Sequence, residues 1–163
     1  MPKTSTLERD AEHDEHLPVM RQLEFALLEI QRLFLRTYNV KFSEQGLHLT
    51  QCALLHYVGH NDPMTQTQLA ELMHLGRPAV GDLIDQLEEK KLVERINEPS
   101  DRRIRVIRIS ARGQVQLKKV DALAKELGAK LRHGISKDER RAFMAHLEQL
   151  RVNLNAIAQA DDT

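Results

Sequence analysis

The stretch from Arg95 to Arg112 limits what this chain can fold into more than any other. It reads Arg-Ile-Asn-Glu-Pro-Ser-Asp-Arg-Arg-Ile-Arg-Val-Ile-Arg-Ile-Ser-Ala-Arg. Ile104, Val106 and Ile109 partly alternate with Arg105 and Arg108, the pattern of a short strand with one wet face. Asn97 to Asp101 is dense in turn formers, and Leu92 to Ile96 can supply the partner strand. The stretch therefore predicts a β-hairpin with Asp101, Arg102 and Arg103 at or near its tip. A solvated hairpin usually mixes its charges, whereas this one concentrates arginine, whose rigid fork of donors suits phosphate. A merely soluble hairpin is the alternative on charge pattern alone.

The segments before the hairpin read as helices. Residues 1–16 are polar, acidic and aperiodic, and are expected to form a disordered arm. Leu23, Leu27, Ile30, Phe34 and Tyr38 then recur at steps of three and four, which predicts a helix from about Pro18 to Tyr38. A break at Ser43 to His48 follows, and Thr50 is placed to cap a helix over Gln51 to about Gly59. Thr65 and Gln68 form a T-x-x-Q capping box ahead of a short helix bearing Leu69, Ala70, Leu72 and Met73. His74-Leu75-Gly76 makes a turn. Pro78 then suits the first turn of a helix that turns Val80, Leu83, Ile84 and Leu87 inward. Two short helices joined by a tight turn, with a basic hairpin after the second, describe a winged helix-turn-helix.

After the hairpin, Ser110 can cap a helix over about Ala111 to Arg132. Its apolar seam is Leu117, Val120, Ala124, Leu127 and Leu131. A second capping box, Ser136 to Glu139, opens a last helix with the seam Phe143, Leu147, Leu150, Leu154 and Ile157. The expected fold class is thus mainly α with a small β-hairpin. Residues 43–110 form the winged helix-turn-helix domain, and residues 17–42 and 111–160 form a helical dimerisation region. A lobe of about sixty residues cannot cover the apolar faces of the first, fifth and sixth helices. A two-fold homodimer can; packing within one chain is the alternative.

Composition narrows the function. With no Trp, four Phe and two Tyr, the chain lacks the aromatic surface on which single-stranded RNA is stacked. Net charge is zero, but residues 1–20 carry five carboxylates against two cations, while residues 90–119 carry ten cations against three carboxylates. A locally basic face on a neutral protein is compatible with duplex DNA. Cys52 is the only cysteine, so no intrachain disulfide can form. No apolar run approaches the ~20 residues that span a bilayer, and the acidic start lacks a signal-peptide core, so a cytoplasmic protein without a membrane partner is expected. No nucleophile elbow, phosphate loop or nucleotide fingerprint appears, so neither an enzyme nor a cofactor is expected.

On these residues the chain resembles the MarR family of winged helix-turn-helix transcriptional regulators. Asp101-Arg102-Arg103 followed by Ile109-Ser110-Ala111-Arg112-Gly113 resembles the family's wing signature, D-x-R, five residues, then L-T-x-x-G, with Ile and Ser standing for Leu and Thr. Thr65 to Glu71 resembles the first helix of its helix-turn-helix. Ile84 to Glu88 and Leu92 to Arg95 resemble the end of its recognition helix and the strand beyond. The resemblance implies an obligate dimer on a palindromic operator in double-stranded DNA, and often a small anionic aromatic effector held between the dimer helices and the DNA-binding lobe.

Individual roles follow. The recognition helix presents Arg77, Ala79, Gly81, Asp82, Asp85 and Gln86 outward, with Gln86 suited to adenine and Arg77 to guanine or phosphate. Asp82 stands where the family commonly has a basic residue, and is expected to pair with a neighbouring cation. Asp85 is expected to be an internal anchor to a wing arginine. Thr65, Thr67 and Gln68 can position phosphates at a helix start. Arg102 and Arg103 are expected on DNA, one of them in the minor groove, with Arg105 as a further contact and Arg108 as an equal alternative to mere solvation. Asp101 and Gly113 are expected to shape the wing. Arg21, His48, His56, Tyr57 and Arg112 are the polar groups expected to converge on an effector. Cys52 reads as a small buried hydrophobe, with oxidant sensing through it as the alternative function. His56 and His60 share a helical face, but two histidines alone predict no metal site.

Overall fold

The computed structural model describes residues 22–98 and 103–160. The acidic arm, Arg21, Asp101 and Arg102 lie outside them. The described elements run α1 (Leu23–Ser43), α2 (Leu49–His60), α3 (Gln66–Met73), α4 (Arg77–Glu89), β1 (Val93–Asn97), β2 (Arg105–Ile109), α5 (Ala111–Leu131) and α6 (Lys137–Ala160). None of these helices is long and apolar enough to cross a membrane. Two compact units divide the chain, residues 1–123 and residues 124–163, so the boundary falls within α5.

In the first unit, α1 runs past Tyr38 to Ser43, five residues further than the periodicity predicts. Phe34, Tyr38 and Phe42 explain the extension. Their rings follow one another along the helix, with centroids 4.1 Å and then 6.1 Å apart, and Phe42 is buried. Gly46, with φ near +74°, then reverses the chain in the left-handed region that glycine occupies freely. The next helix starts at Leu49 rather than Gln51, so Thr50 is not its cap. His48 sits at the cap position instead. Its N–H donates to Gln51 Oε1 at 2.9 Å, and the Leu49 N–H donates to Asn39 Oδ1 at 2.9 Å, which ties α2 to α1.

The core of this unit is built from Leu54, Leu55, Val58, Leu69, Val80, Ile84, Leu87 and Ile107. Of the apolar members of α3, Leu69 and Ala70 are buried and Leu72 is exposed. β1 and β2 pair antiparallel, with Val93 opposite Ile109 and Asn97 opposite Arg105. The alternation in β2 is only partial because Ile107 is covered too. It exchanges two backbone hydrogen bonds with Met64, of 3.0 and 2.6 Å, so the segment before α3 lies along the hairpin as a third, one-bridge strand.

The passage from β2 into α5 is tight. Ser110 Oγ accepts from the Gly113 N–H at 2.9 Å, as a helix cap does, and donates to the Lys91 carbonyl at 2.7 Å. A Cβ on Gly113 would lie 2.0 Å from the Leu92 carbonyl oxygen, so only glycine lets the first turn of α5 sit on the start of β1. Gly59 does the same for α2, where a Cβ would meet Leu117 at 2.3 Å. Leu117 and Val120 of α5 are buried there.

In the second unit, α6 opens on the Ser136–Glu139 capping box. The Ser136 N–H donates to Glu139 Oε2 at 2.8 Å, and the Glu139 N–H donates to Ser136 Oγ at 3.3 Å. None of its residues is buried: Phe143, Met144, Leu154 and Ile157 are all more than half exposed.

Candidate nucleic-acid interface

The turn between α3 and α4 sets the angle at which α4 is offered. His74, not Gly76, takes the left-handed conformation, with φ +52° and ψ +43°. Gly76 is extended and precedes α4, with Pro78 in the first turn. Gln66 of α3 then fastens the pair. Its amide donates to the Arg77 carbonyl at 2.8 Å, and it lies so close to Gly81 that a Cβ there would come within 3.0 Å of it. Gly81, expected to face outward, is half-buried beside the Gln66 side chain.

Arg95 of β1 locks α4 to the wing. Its guanidinium meets Asp85 Oδ1 at 2.5 Å and also pairs with Glu88, while its backbone N–H donates to the other Glu88 oxygen at 2.8 Å. The same guanidinium reaches the Gly81 carbonyl at 3.4 Å. Arg95 is only 22% exposed, so these bonds are partly shielded from water and stronger than surface pairs. Asp85 is therefore an anchor to the first strand of the hairpin. Arg95 itself escaped the sequence reading. Its signal was available: two carboxylates three residues apart on a helix, with an arginine entering the next strand.

Once these ties are made, the free face of α4 is small. Arg77, Ala79 and Asp82 are exposed. Among the described residues no hydrogen bond or ion pair reaches the Asp82 side chain, so the expected pairing with a neighbouring cation is not found. Gln86 is engaged: its Oε1 accepts from the amide of the buried Gln51 at 2.6 Å. That bond occupies one of the two groups a bidentate reading of adenine needs.

At the start of α3, Thr65 and Gln68 serve each other. The Thr65 N–H donates to Gln68 Oε1 at 2.8 Å, and the Gln68 N–H donates to Thr65 Oγ1 at 3.2 Å. Thr67 is half-buried with no side-chain bond of this kind. In the wing, Arg103 and Arg105 are exposed. Arg108 is half-buried and pairs with a carboxylate of its own chain. Its Nε lies 3.4 Å from Asp62 Oδ2, and Asp62 also accepts from the Ile109 N–H at 3.3 Å, so this arginine braces the loop before α3 against β2.

Beside α4 lies a cleft of about 480 Å³ lined by Ser43, Leu47, His48, Gln51, Gln86 and Lys90, among others. Of the polar groups expected to converge on an effector, His48 lines it. His56, Tyr57 and Arg112 do not, and His56 instead meets Asp121 of α5 at 3.0 Å. Cys52 is buried, and burial pushes its thiol up to about 12.

Comparison with known proteins agrees with this geometry. Residues 45–104 match the family model described as MarR family. MepR of S. aureus, solved as a DNA complex, superposes with a TM-score of 0.77 at 20% identity, over 84% of this chain and 99% of that one. BpsR of Bordetella bronchiseptica, whose DNA binding is regulated by 6-hydroxynicotinic acid, gives 0.74 at 16%, over 83% and 96%. CouR of Rhodococcus jostii RHA1, bound to p-coumaroyl-CoA, gives 0.70 at 24%, over 86% and 94%. The segment from residue 45 to 104, the greater part of the winged helix-turn-helix, is thus similar to the MarR family, and the whole chain shares the fold of these solved regulators.

Proposed function

We propose that the chain acts as a homodimeric, sequence-specific repressor that a small anionic aromatic effector releases from a palindromic DNA operator. The observation that carries the reading is the clamp of Arg95 and Gln66. It holds α4 at a fixed angle with Arg77, Ala79 and Asp82 facing out, and joins it to a wing with Arg103 and Arg105 exposed. A rigid helix for the major groove beside a basic wing for the phosphates or the minor groove is what this fold offers duplex DNA.

The dimer is supported by apolar surface left open in each unit. In α1, Leu23, Phe25, Leu28, Ile30 and Leu33 are 41–58% exposed, and in α6 Phe143, Met144, Val152, Leu154 and Ile157 are 48–62% exposed. The effector reading is supported by the cleft and by BpsR and CouR, which have aromatic ligands. A ligand in the cleft would touch Lys90 and the Gln51–Gln86 bond at the C-terminal end of α4. Shifting that end would change the spacing of two recognition helices that must reach major grooves ~34 Å apart. Oxidant sensing through Cys52 loses support, since a thiol raised to about 12 holds almost no reactive thiolate at neutral pH.

The test is binding to the DNA upstream of the protein's own gene, followed by anisotropy over a range of salt, with and without a panel of aromatic acids. Arg103→Ala is expected to weaken binding at least tenfold and to lower the salt slope by about 0.9. Unchanged affinity would refute the wing assignment, and absence of any salt-dependent binding by the parent protein would refute the function.

A further inference from the structure

One cluster of side chains takes no part in the clamp, the wing or the cleft. His56 and His60 are four residues apart on α2, and so share a face. Their rings lie 4.3 Å apart and both address one carboxylate from another helix, Asp121 of α5. His56 Nδ1 stands 3.0 Å from Oδ1, and His60 Nε2 stands 3.3 Å from Oδ2. One ligand atom from each residue can be chosen so that all three lie within 4.8 Å of one another.

The geometry points to a site for a divalent transition ion of the Zn²⁺ or Co²⁺ class, held by His56, His60 and Asp121 and spanning α2 and α5. Two imidazole nitrogens and one carboxylate oxygen make a donor set of intermediate softness. It suits zinc, cobalt, nickel or copper, and falls well short of the oxygen-rich shell that calcium or magnesium requires. Tetrahedral coordination at ~2.0–2.2 Å sets ligand atoms ~3.4 Å apart. The two nitrogen–oxygen separations, 3.0 Å to Oδ1 and 3.3 Å to Oδ2, are near that value and the three ligand atoms lie within 4.8 Å of one another; the side chains are 38–51% exposed, so they can close on an ion and leave its fourth position to water. A carboxylate already satisfied by hydrogen bonds to the two histidines is the competing arrangement. What distinguishes the two is whether the triad takes up metal.

Co²⁺ should be titrated into the full chain without an affinity tag, in competition with a chromophoric chelator. Wild type is expected to bind one ion per chain more than His56→Ala/His60→Ala, with the visible absorption of four-coordinate cobalt present only in the former. His13 and His16 remain in both proteins, so the difference isolates the cluster. Asp121→Asn is expected to weaken this site at least tenfold. Because the residues are exposed, the variants should fold, and circular dichroism checks it. In a second readout, excess Zn²⁺ is expected to raise the Tm of wild type by several degrees and leave the double variant unmoved. Equal ion counts in wild type and double variant, or a Zn²⁺ shift that survives the double substitution, would overturn the site.

Discussion

The winged-helix core and the last helix solve the burial problem in opposite ways. Around α2 to β2, Leu54, Leu55, Val58, Leu69, Val80, Ile84 and Leu87 are all essentially inaccessible to water within one chain. In α6, an apolar seam of similar spacing is left largely open: Leu147 and Leu150 are half-buried, while Phe143, Leu154 and Ile157 are 56–62% exposed. Periodicity alone cannot tell these apart, because a 3-4 seam reports that a face seeks cover and not who provides it. The first region is complete in a single copy. The second has the composition of half an interface.

The difference can be broken most sharply at α6. Phe143→Asp/Ile157→Asp places two charges on a surface that, in a dimer, is desolvated. The expected outcome is dissociation at low micromolar concentration, read by sedimentation, with operator binding lost by at least a hundredfold because both half-sites must be held at once. An intact dimer of the double variant would show that α6 is covered in some other way.

A core substitution should behave differently in kind. Ile84 is fully buried on the inner face of α4, and Ile84→Ala removes packed methyl and methylene groups, costing about 2–5 kcal/mol. The loss should appear as a fall in Tm that persists across a wide range of protein concentration, whereas damage at an interface grows as the protein is diluted. Arg95→Ala comes next, at about 1–3 kcal/mol, since it strands two carboxylates that share one partly shielded guanidinium. Its separate signature is functional. With Asp85 and Glu88 released from β1, operator affinity should fall further than that small loss of stability explains. Arg95→Lys should restore little, because a single ammonium cannot serve both carboxylates in the fork geometry.

These contrasts show where the sequence was legible. The two T/S-x-x-Q/E caps at Thr65 and Ser136, the hairpin and the inner face of α4 at Val80, Ile84 and Leu87 rest on local rules, and local rules are written in short windows. What was not legible rests on pairs distant in sequence. Gln51 with Gln86 and His56 with Asp121 are 35 and 65 residues apart, and no spacing within either segment announces the partner. The half-burial of Gly81 rests on such a pair too: a helical wheel turns the position outward, and the absence of a side chain there lets Gln66 approach. The extension of α1 to Ser43 rests on Phe42, which continues the apolar series one further step of four beyond Tyr38.

The smallest expected effect separates a helix held by its core from one held by its caps. Hydrogen bonds from the Ser136 hydroxyl and from its backbone N–H hold the exposed Glu139 carboxyl below the ordinary glutamate value of about 4.3. A carboxyl whose folded value is depressed contributes stability that is fully present above the unfolded value and is lost as pH falls through the folded one. Glu139→Gln removes the titration but keeps an oxygen able to accept from the Ser136 N–H, as glutamine does in capping boxes. The difference in Tm between wild type and this variant should therefore be constant above about pH 5 and shrink toward pH 3, with a total of a degree or so. It should be larger in the Phe143→Asp/Ile157→Asp background. There α6 has lost whatever covered its seam, so its first turn depends on the cap alone. A difference that is flat with pH in both backgrounds would mean that the Ser136–Glu139 box contributes nothing to holding α6.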